Sequence, residues 1–271
     1  MSTGVLRVAV EAVALCGPSL PDWVSSQQVL SGMEPYCAAP IVLQAPAQLS
    51  AAERRRAVPS VKLALVVGAA AVAQSGRDAG QLAAVFASSG ADGETIAAIL
   101  AALATTQREV SPTRFHNSVH NAPSGYWGIA VQSREPVSSI SCHDASFAAG
   151  LLEAAVQVVA AERAILLIGY DLPYPEPLNQ MRHIATGFGV ALVMRPAPLD
   201  ASSHVALAEL RLSMSSAGVA SGCADCGLER LRRGNPTARS LPLLVMLAKQ
   251  SGGTVRLDLS RGGLDVEVVP C

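Results

Sequence analysis

The sequence predicts an α/β protein whose largely parallel sheet carries helices on both faces. Short runs of Val, Ala and Leu alternate along the chain with longer Ala-rich or amphipathic segments. Half of the 271 residues are apolar and only 15% are charged, against roughly 25% charged in ordinary globular chains. That deficit fits strands covered on both faces, a large apolar interface with a partner, or both.

Leu6 to Leu15 is rich in Val and Ala and stops at Gly17-Pro18, which marks a buried strand. Residues 19–50 carry Pro21, Pro40 and Pro46 and read as irregular. Ser50-Ala-Ala-Glu53 is a capping box opening a helix, which pauses near Pro59 and resumes to about Gln74. Gln81 to Ser88 is a second strand ending in Ser89-Gly90-Ala-Asp-Gly93. Thr95 to Thr105 is a helix with Ile96, Leu100 and Leu103 on one side. Ser111 to Gly128 reads as a loop dense in His, Asn and aromatic residues.

Val137 to Ser141 is a short strand running into Cys142-His-Asp-Ala-Ser146 and a strong helix, Phe147 to Ala160. Ala164 to Gly169 and Ala185 to Met194 are apolar strands. Beyond them, Val205 to Met214 is a strand and Arg239 to Lys249 a helix. Thr254 to Leu259 and Leu264 to Val269 form a hairpin around Arg261-Gly-Gly263. This last block replays part of the first in brief.

Several function classes are disfavoured. The net charge is −1 and the longest basic run is Arg54-Arg55-Arg56, which does not suit an electrostatic nucleic-acid binder. Leu63 to Ala73 is too short to span a bilayer, and Glu153, Glu162 and Arg163 interrupt the longest helical stretch. The opening MSTGVLRVAVEAV lacks a basic n-region, so a cytoplasmic protein is expected. Cys223-Ala-Asp-Cys226 is a lone CxxC without a second ligand pair, so small thiols are expected rather than a metal site. His116 and His120 have a spacing that binds zinc on a helix. SPTRF and NAPSG read as loop, which favours polar residues satisfying a buried loop at an interface.

The chemically loaded position is the strand-to-helix turn Ser139 to Ser146. A nucleophile there sits at a helix N-terminus, whose dipole lowers a thiol's pKa and steadies an oxyanion. The turn, the helix FAAGLLEAAVQVV and the strand AILLIGYD together resemble the nucleophile region of the β-ketoacyl synthases. VSPTRF, HNAPSGYWGIA, the first strand, the Arg-rich helix and FASSGADGE extend the resemblance over most of residues 5 to 196. The likeness is greatest to the short synthase-like subunits found beside active synthases in aryl polyene and related pigment pathways.

The resemblance implies a thiolase-like (ketosynthase) fold, with mixed five-stranded sheets packed with helices and a truncated second half. Residues 1–198 are then the ketosynthase-like N-terminal half and 199–271 an abbreviated C-terminal half of the same domain. In the family register, Cys142 and His143 precede the nucleophile position, and Asp144 stands where the cysteine belongs. Asn235 falls where a catalytic histidine follows a glycine. Asp144 reads either as a carboxylate nucleophile or as an N-cap, and the cap is favoured. Cys142 reads as a buried thiol, with a Cys142/His143 dyad as the alternative.

The function implied is a non-catalytic, chain-length-factor-like partner. It would form a heterodimer with an active β-ketoacyl synthase acting on acyl carrier protein thioesters, in polyketide, aryl polyene or fatty-acid-like biosynthesis, with no cofactor. Val137, Ser139 and Ile140 would form the dimer strand. Thr113, Arg114, Phe115 and His116 would face the partner's acyl tunnel, with Ile96 and Leu100 packed behind. The alternatives are a decarboxylase or acyl hydrolase or transferase using Asp144 or Cys142/His143, and a free-standing acyl-binding homodimer.

Overall fold

The strand signals resolve into a single sheet. The computed structural model describes residues 4–197, 206–216 and 218–271. Its strands are β1 (Leu6–Cys16), β2 (Ala83–Ala87), β3 (Val137–Ile140), β4 (Ile165–Asp171), β5 (Phe188–Pro196), β6 (Ala208–Ser215), β7 (Gly253–Asp258) and β8 (Gly263–Pro270). Their order is β3-β2-β4-β5-β1-β6-β8-β7. The expected half boundary at 198/199 and the expected strand start at Val205 lie outside the described residues.

Two expectations about the sheet need correction. The strands from residues 6–196 lie side by side as a block of five, but β6, β8 and β7 extend that block into one eight-stranded sheet. The sheet is also not largely parallel: only β2 with β3 and β2 with β4 pair that way, and the other five pairings are antiparallel. Helical crossovers link β2 to β3 and β3 to β4, which lets those strands run parallel. From β4 to β5 the chain passes only the short helix Leu178–Met181, and β7 to β8 is a hairpin; both pairs come out antiparallel.

β1 splices the sheet together. Its Leu6–Val10 stretch pairs with β6 while Val8–Cys16 pairs with β5, and the β5 register slips between Val10 and Ala12. The bulge places Glu11 in the interior, where its carboxylate accepts from Arg77 at 2.5 Å and lies 2.8 Å from Arg195 Nε. A carboxylate this buried is tolerable only with such partners.

Helices cover both faces. Pro59–Ser75 and Ala122–Val131 pack on the side of Ala12, Phe86, Leu166 and Val193. Ser146–Ala161, Leu241–Lys249 and Trp23–Ser31 pack on the side of Val13, Val85, Leu167 and Leu210. Gly150 lets Ser146–Ala161 seat on the sheet, because a Cβ there would stand 2.6 Å from Ala87 Cβ. The 19-residue span His143–Ala161 is long and apolar enough by composition to cross a bilayer, yet half of it is buried inside the protein, as in a core helix.

Most predicted elements are present within a few residues. The helix broken near Pro59 is there as Ala51–Arg56 and Pro59–Ser75, with Ser50 Oγ accepting from Glu53 N–H at 3.2 Å. Trp23–Ser31 falls in the stretch read as irregular; Asp22 caps it through Ser25 N–H at 2.8 Å, and Gly32 ends it at φ +83°. The stretch read as a loop is instead two helices, Pro112–Asn117 and Ala122–Val131. Each has a proline in its first turn, where the missing N–H costs nothing and the fixed φ suits a helix.

Candidate functional site

β3 delivers the chain to the turn before Ser146–Ala161. His143 takes φ 54°, and His143–Ala145 forms one tight 3₁₀ turn. Ser146 closes this turn: its Oγ accepts from Cys142 N–H at 2.9 Å and donates to the His143 carbonyl at 2.7 Å.

Asp144 therefore does not cap the helix, contrary to the sequence expectation. Its Oδ1 accepts from Arg182 at 2.6 Å and its Oδ2 from Arg239 at 2.8 Å. Two full positive charges outcompete the partial charges of the helix N-terminus. The side chain is 35% exposed, so the cluster sits at the surface. Burial pushes the Asp144 carboxyl up, but the Arg182 hydrogen bond and the charges of Arg239, Arg182 and His143 outweigh it and hold it below the usual carboxylate range.

The Cys142/His143 dyad is not assembled. Cys142 is half-buried, and no hydrogen bond joins its thiol to the largely exposed His143 ring. His143 Nδ1 instead lies 3.5 Å from Asp144 Oδ1.

Asn235 is 1% exposed and spent on structure. Its Nδ2 donates to the Asp171 and Thr186 carbonyls at 3.1 and 2.8 Å, and its Oδ1 accepts from Ala238 N–H at 3.0 Å. Asp171, at the end of β4, is the centre of this network. Its Oδ1 accepts from Ser89 N–H at 2.9 Å and from the Ser89 and Ser88 hydroxyls at 2.6 and 3.3 Å; its Oδ2 accepts from Thr237 at 2.7 Å. Burial pushes the Asp171 carboxyl up, and these donors oppose the shift. The stretch from Asn235 to Arg239 is thus bolted to the first block through Asp171, Thr186 and Asp144.

Sequence reasoning missed Asp171, Arg182 and Arg239. The signal for Asp171 was present, since a carboxylate ends the otherwise apolar run AILLIGYD. The two arginines carry no local signal.

A second group of residues faces outward. Pro112–Asn117 packs against Gly93–Leu103, so Ile96 lies half-buried behind it, while Leu100 stays half-exposed. Thr113, Arg114, Phe115 and His116 are exposed. Phe115 is 67% exposed and is not core. Together with Pro112, His116, Val119, Tyr126 and Ile129 it lines a groove of about 410 Å³. His116 stacks edge-on with Tyr126, at a centroid distance of 6.2 Å, and His120 Nε2 lies 3.1 Å from the Ser88 carbonyl. The two histidines thus have separate partners, and the loop reading that placed them is replaced by a helix and its exit.

β3 is one edge of the sheet. Val137 is exposed, Ser139 and Ile140 are half-buried, and Ser139 Oγ donates to Ser124 Oγ at 3.3 Å.

A helix launched from the turn after β3, within this mixed and two-sided α/β sheet, is compatible with the thiolase-like ketosynthase fold expected from the sequence. The family model of the β-ketoacyl synthase N-terminal domain matches residues 23–234, and the chain belongs to that family. No curated protein matches the sequence. Among solved structures the chain is similar to the ketosynthase ApeO in complex with its chain length factor ApeC from Xenorhabdus doucetiae. The match has 20% identity and a TM-score of 0.73, covering 97% of this chain and 99% of that one. It is similar to the AntDE:AntF complex of a type II PKS acyl-carrier protein with its ketosynthase, at 12% identity, TM-score 0.72, and 99% and 100% coverage. The ishigamide ketosynthase/chain length factor matches at 12% identity, TM-score 0.70, and 97% and 99% coverage. At these identities the structural matches establish the fold.

Proposed function

We propose that this chain is a non-catalytic, chain-length-factor-like subunit that pairs with an active β-ketoacyl synthase working on carrier-bound acyl thioesters in polyketide, aryl polyene or fatty-acid-like synthesis. One observation carries the reading: Asp144, the residue at the nucleophile position in the family register read from the sequence, is ion-paired to Arg182 and Arg239. A carboxylate held below its usual pKa by two guanidinium groups is a poor nucleophile and cannot form the thioester on which condensation depends. The same ion pairs weigh against a hydrolase or decarboxylase using Asp144, and the unassembled Cys142/His143 pair weighs against one using the thiol.

The outward face supports a partner. The edge strand β3 is open for pairing through Val137, Ser139 and Ile140. Beside it lies an apolar face containing Leu100, Phe115, Val119 and Ile129, each close to half exposed or more. The three structural matches described above are ketosynthase assemblies, two of them named with a chain length factor. In this reading Thr113, Arg114, Phe115 and His116 line the far wall of the partner's acyl tunnel, with Ile96 and Leu100 behind. Residues 199–271 are the abbreviated second half of the synthase domain. The test is reconstitution with an active β-ketoacyl synthase and its carrier protein. Elongation should require both subunits, and elongation catalysed by this chain alone would refute the reading.

A further inference from the structure

A second cavity lies away from the edge strand and the Phe115 groove. It holds about 410 Å³, within the range of small-ligand pockets, and is walled by Pro18, Pro40, Tyr36, Leu231, Ala39 and Ala185. Its polar members are Thr186 and Arg230. Gly227 lets the helix Cys226–Gly234 approach this wall, because a Cβ there would stand 2.6 Å from Tyr36 Cδ1.

The charges around the cavity are unevenly committed. Arg232 and Arg233 both pair with Glu229 at 2.7 Å, and Arg182 pairs with Asp144. The Asp225 carboxylate caps the helix through the Gly227 and Leu228 N–H groups at 2.8 and 2.9 Å. The Tyr36 hydroxyl donates to the Pro18 carbonyl at 3.0 Å. Arg230 has no ion pair and no hydrogen bond among the described residues, and the Thr186 hydroxyl has no hydrogen bond among them either.

We propose that this cavity binds a small monoanionic carboxylate with an apolar body, its carboxylate on Arg230 and its body against Pro18, Tyr36, Pro40 and Leu231. A guanidinium matches a carboxylate with two parallel N–H donors. The proline rings and Tyr36 make a stiff apolar wall that asks for an equally apolar body. Because Ala185 and Thr186 follow Arg182 in the chain and bond to Gly234 and Asn235, an occupant would press on the segment that grips Asp144. None of these residues belongs to β3 or to the Phe115 groove, so the proposal and the partner reading fail independently.

The test uses the full chain and ligand-detected NMR, with benzoate and octanoate each compared with its primary amide. Both acids should bind at least tenfold more tightly than their amides. Arg230→Gln should erase that preference, and Arg230→Lys, which keeps the charge but not the paired donors, should retain only part of it. Ala39→Trp, on an exposed wall, should weaken acid and amide alike. Equal binding of acid and amide, a preference that survives Arg230→Gln, or no binding at millimolar ligand would overturn the assignment. Unchanged melting temperatures in the three variants would show that the changes are local.

Discussion

Asp144 Oδ2 accepts a hydrogen bond from Arg239 at 2.8 Å across 95 positions of sequence, tying the turn after β3 to the 3₁₀ turn Thr237–Ser240. The position proposed for the reactive thiol of an active synthase is here a tie between two blocks of the fold.

Asp144→Cys should therefore not restore condensation. It removes the acceptor shared by Arg182 and Arg239, and Asn235, proposed for the histidine position, stays buried and hydrogen-bonded. Asp144→Asn should lower stability by about 1 kcal/mol, below the ~1.5–3 kcal/mol of hydrogen bonds to charged groups, because over a third of the side chain is screened by solvent. A denaturation double-mutant cycle with Arg239→Gln should give a coupling of the same order. Zero coupling would mean that the pair is incidental.

Acid should unfold the protein partly through two carboxylates. Arg232, opposed by burial and helped by the Cys223 N–H and Arg233, holds Glu229 down to about 2, and Asp144 is also held below its ordinary value. A depressed carboxylate contributes stability that is full above its unfolded pKa, about 4.3 for Glu, and is lost as pH falls through the folded value. Melting temperature should decline between about pH 4 and pH 2, and Glu229→Gln should flatten the decline. A curve of the same steepness in that variant would exclude Glu229 as a main contributor.

Val137→Asp should dissociate the complex without unfolding the chain. Val137 is exposed on the edge strand, so a charge there costs little in the isolated subunit but is costly between paired strands. Ile140→Lys is the harsher variant, since Ile140 also packs against the core. Light scattering on the co-purified pair checks this, and a Val137→Asp complex of unchanged mass would place the interface elsewhere.

Phe115→Ala should shift products towards longer chains while moving the melting temperature little, because the side chain is mostly exposed in the isolated subunit and surface truncations usually stay within about 0.5 kcal/mol. Thr113→Trp should shorten the products. An unchanged length distribution in both, by mass spectrometry of carrier-bound products, would remove this segment from the tunnel wall.

The strands and the Pro59–Ser75 and Ser146–Ala161 helices were legible because apolar runs bounded by Gly, Pro or a cap report burial directly. The helices Trp23–Ser31 and Cys226–Gly234 were missed: the first lies in a proline-rich stretch, and the second is polar over most of its surface. Ser111 to Gly128 misled because its Asn, Ser and Gly residues suggest a loop, while Pro112 and Pro123 start helices. The turn at Asp144 was found from its pattern. Its chemistry was not, since Arg182 and Arg239 lie 38 and 95 positions away and only the fold brings them in.

Native mass spectrometry of this chain co-expressed with an active β-ketoacyl synthase, after incubation with acyl-loaded carrier protein, tests the central claim most directly. The account predicts a one-to-one complex with the acyl mass confined to the synthase. An acyl adduct on this chain, or the absence of any complex between the two, would contradict it.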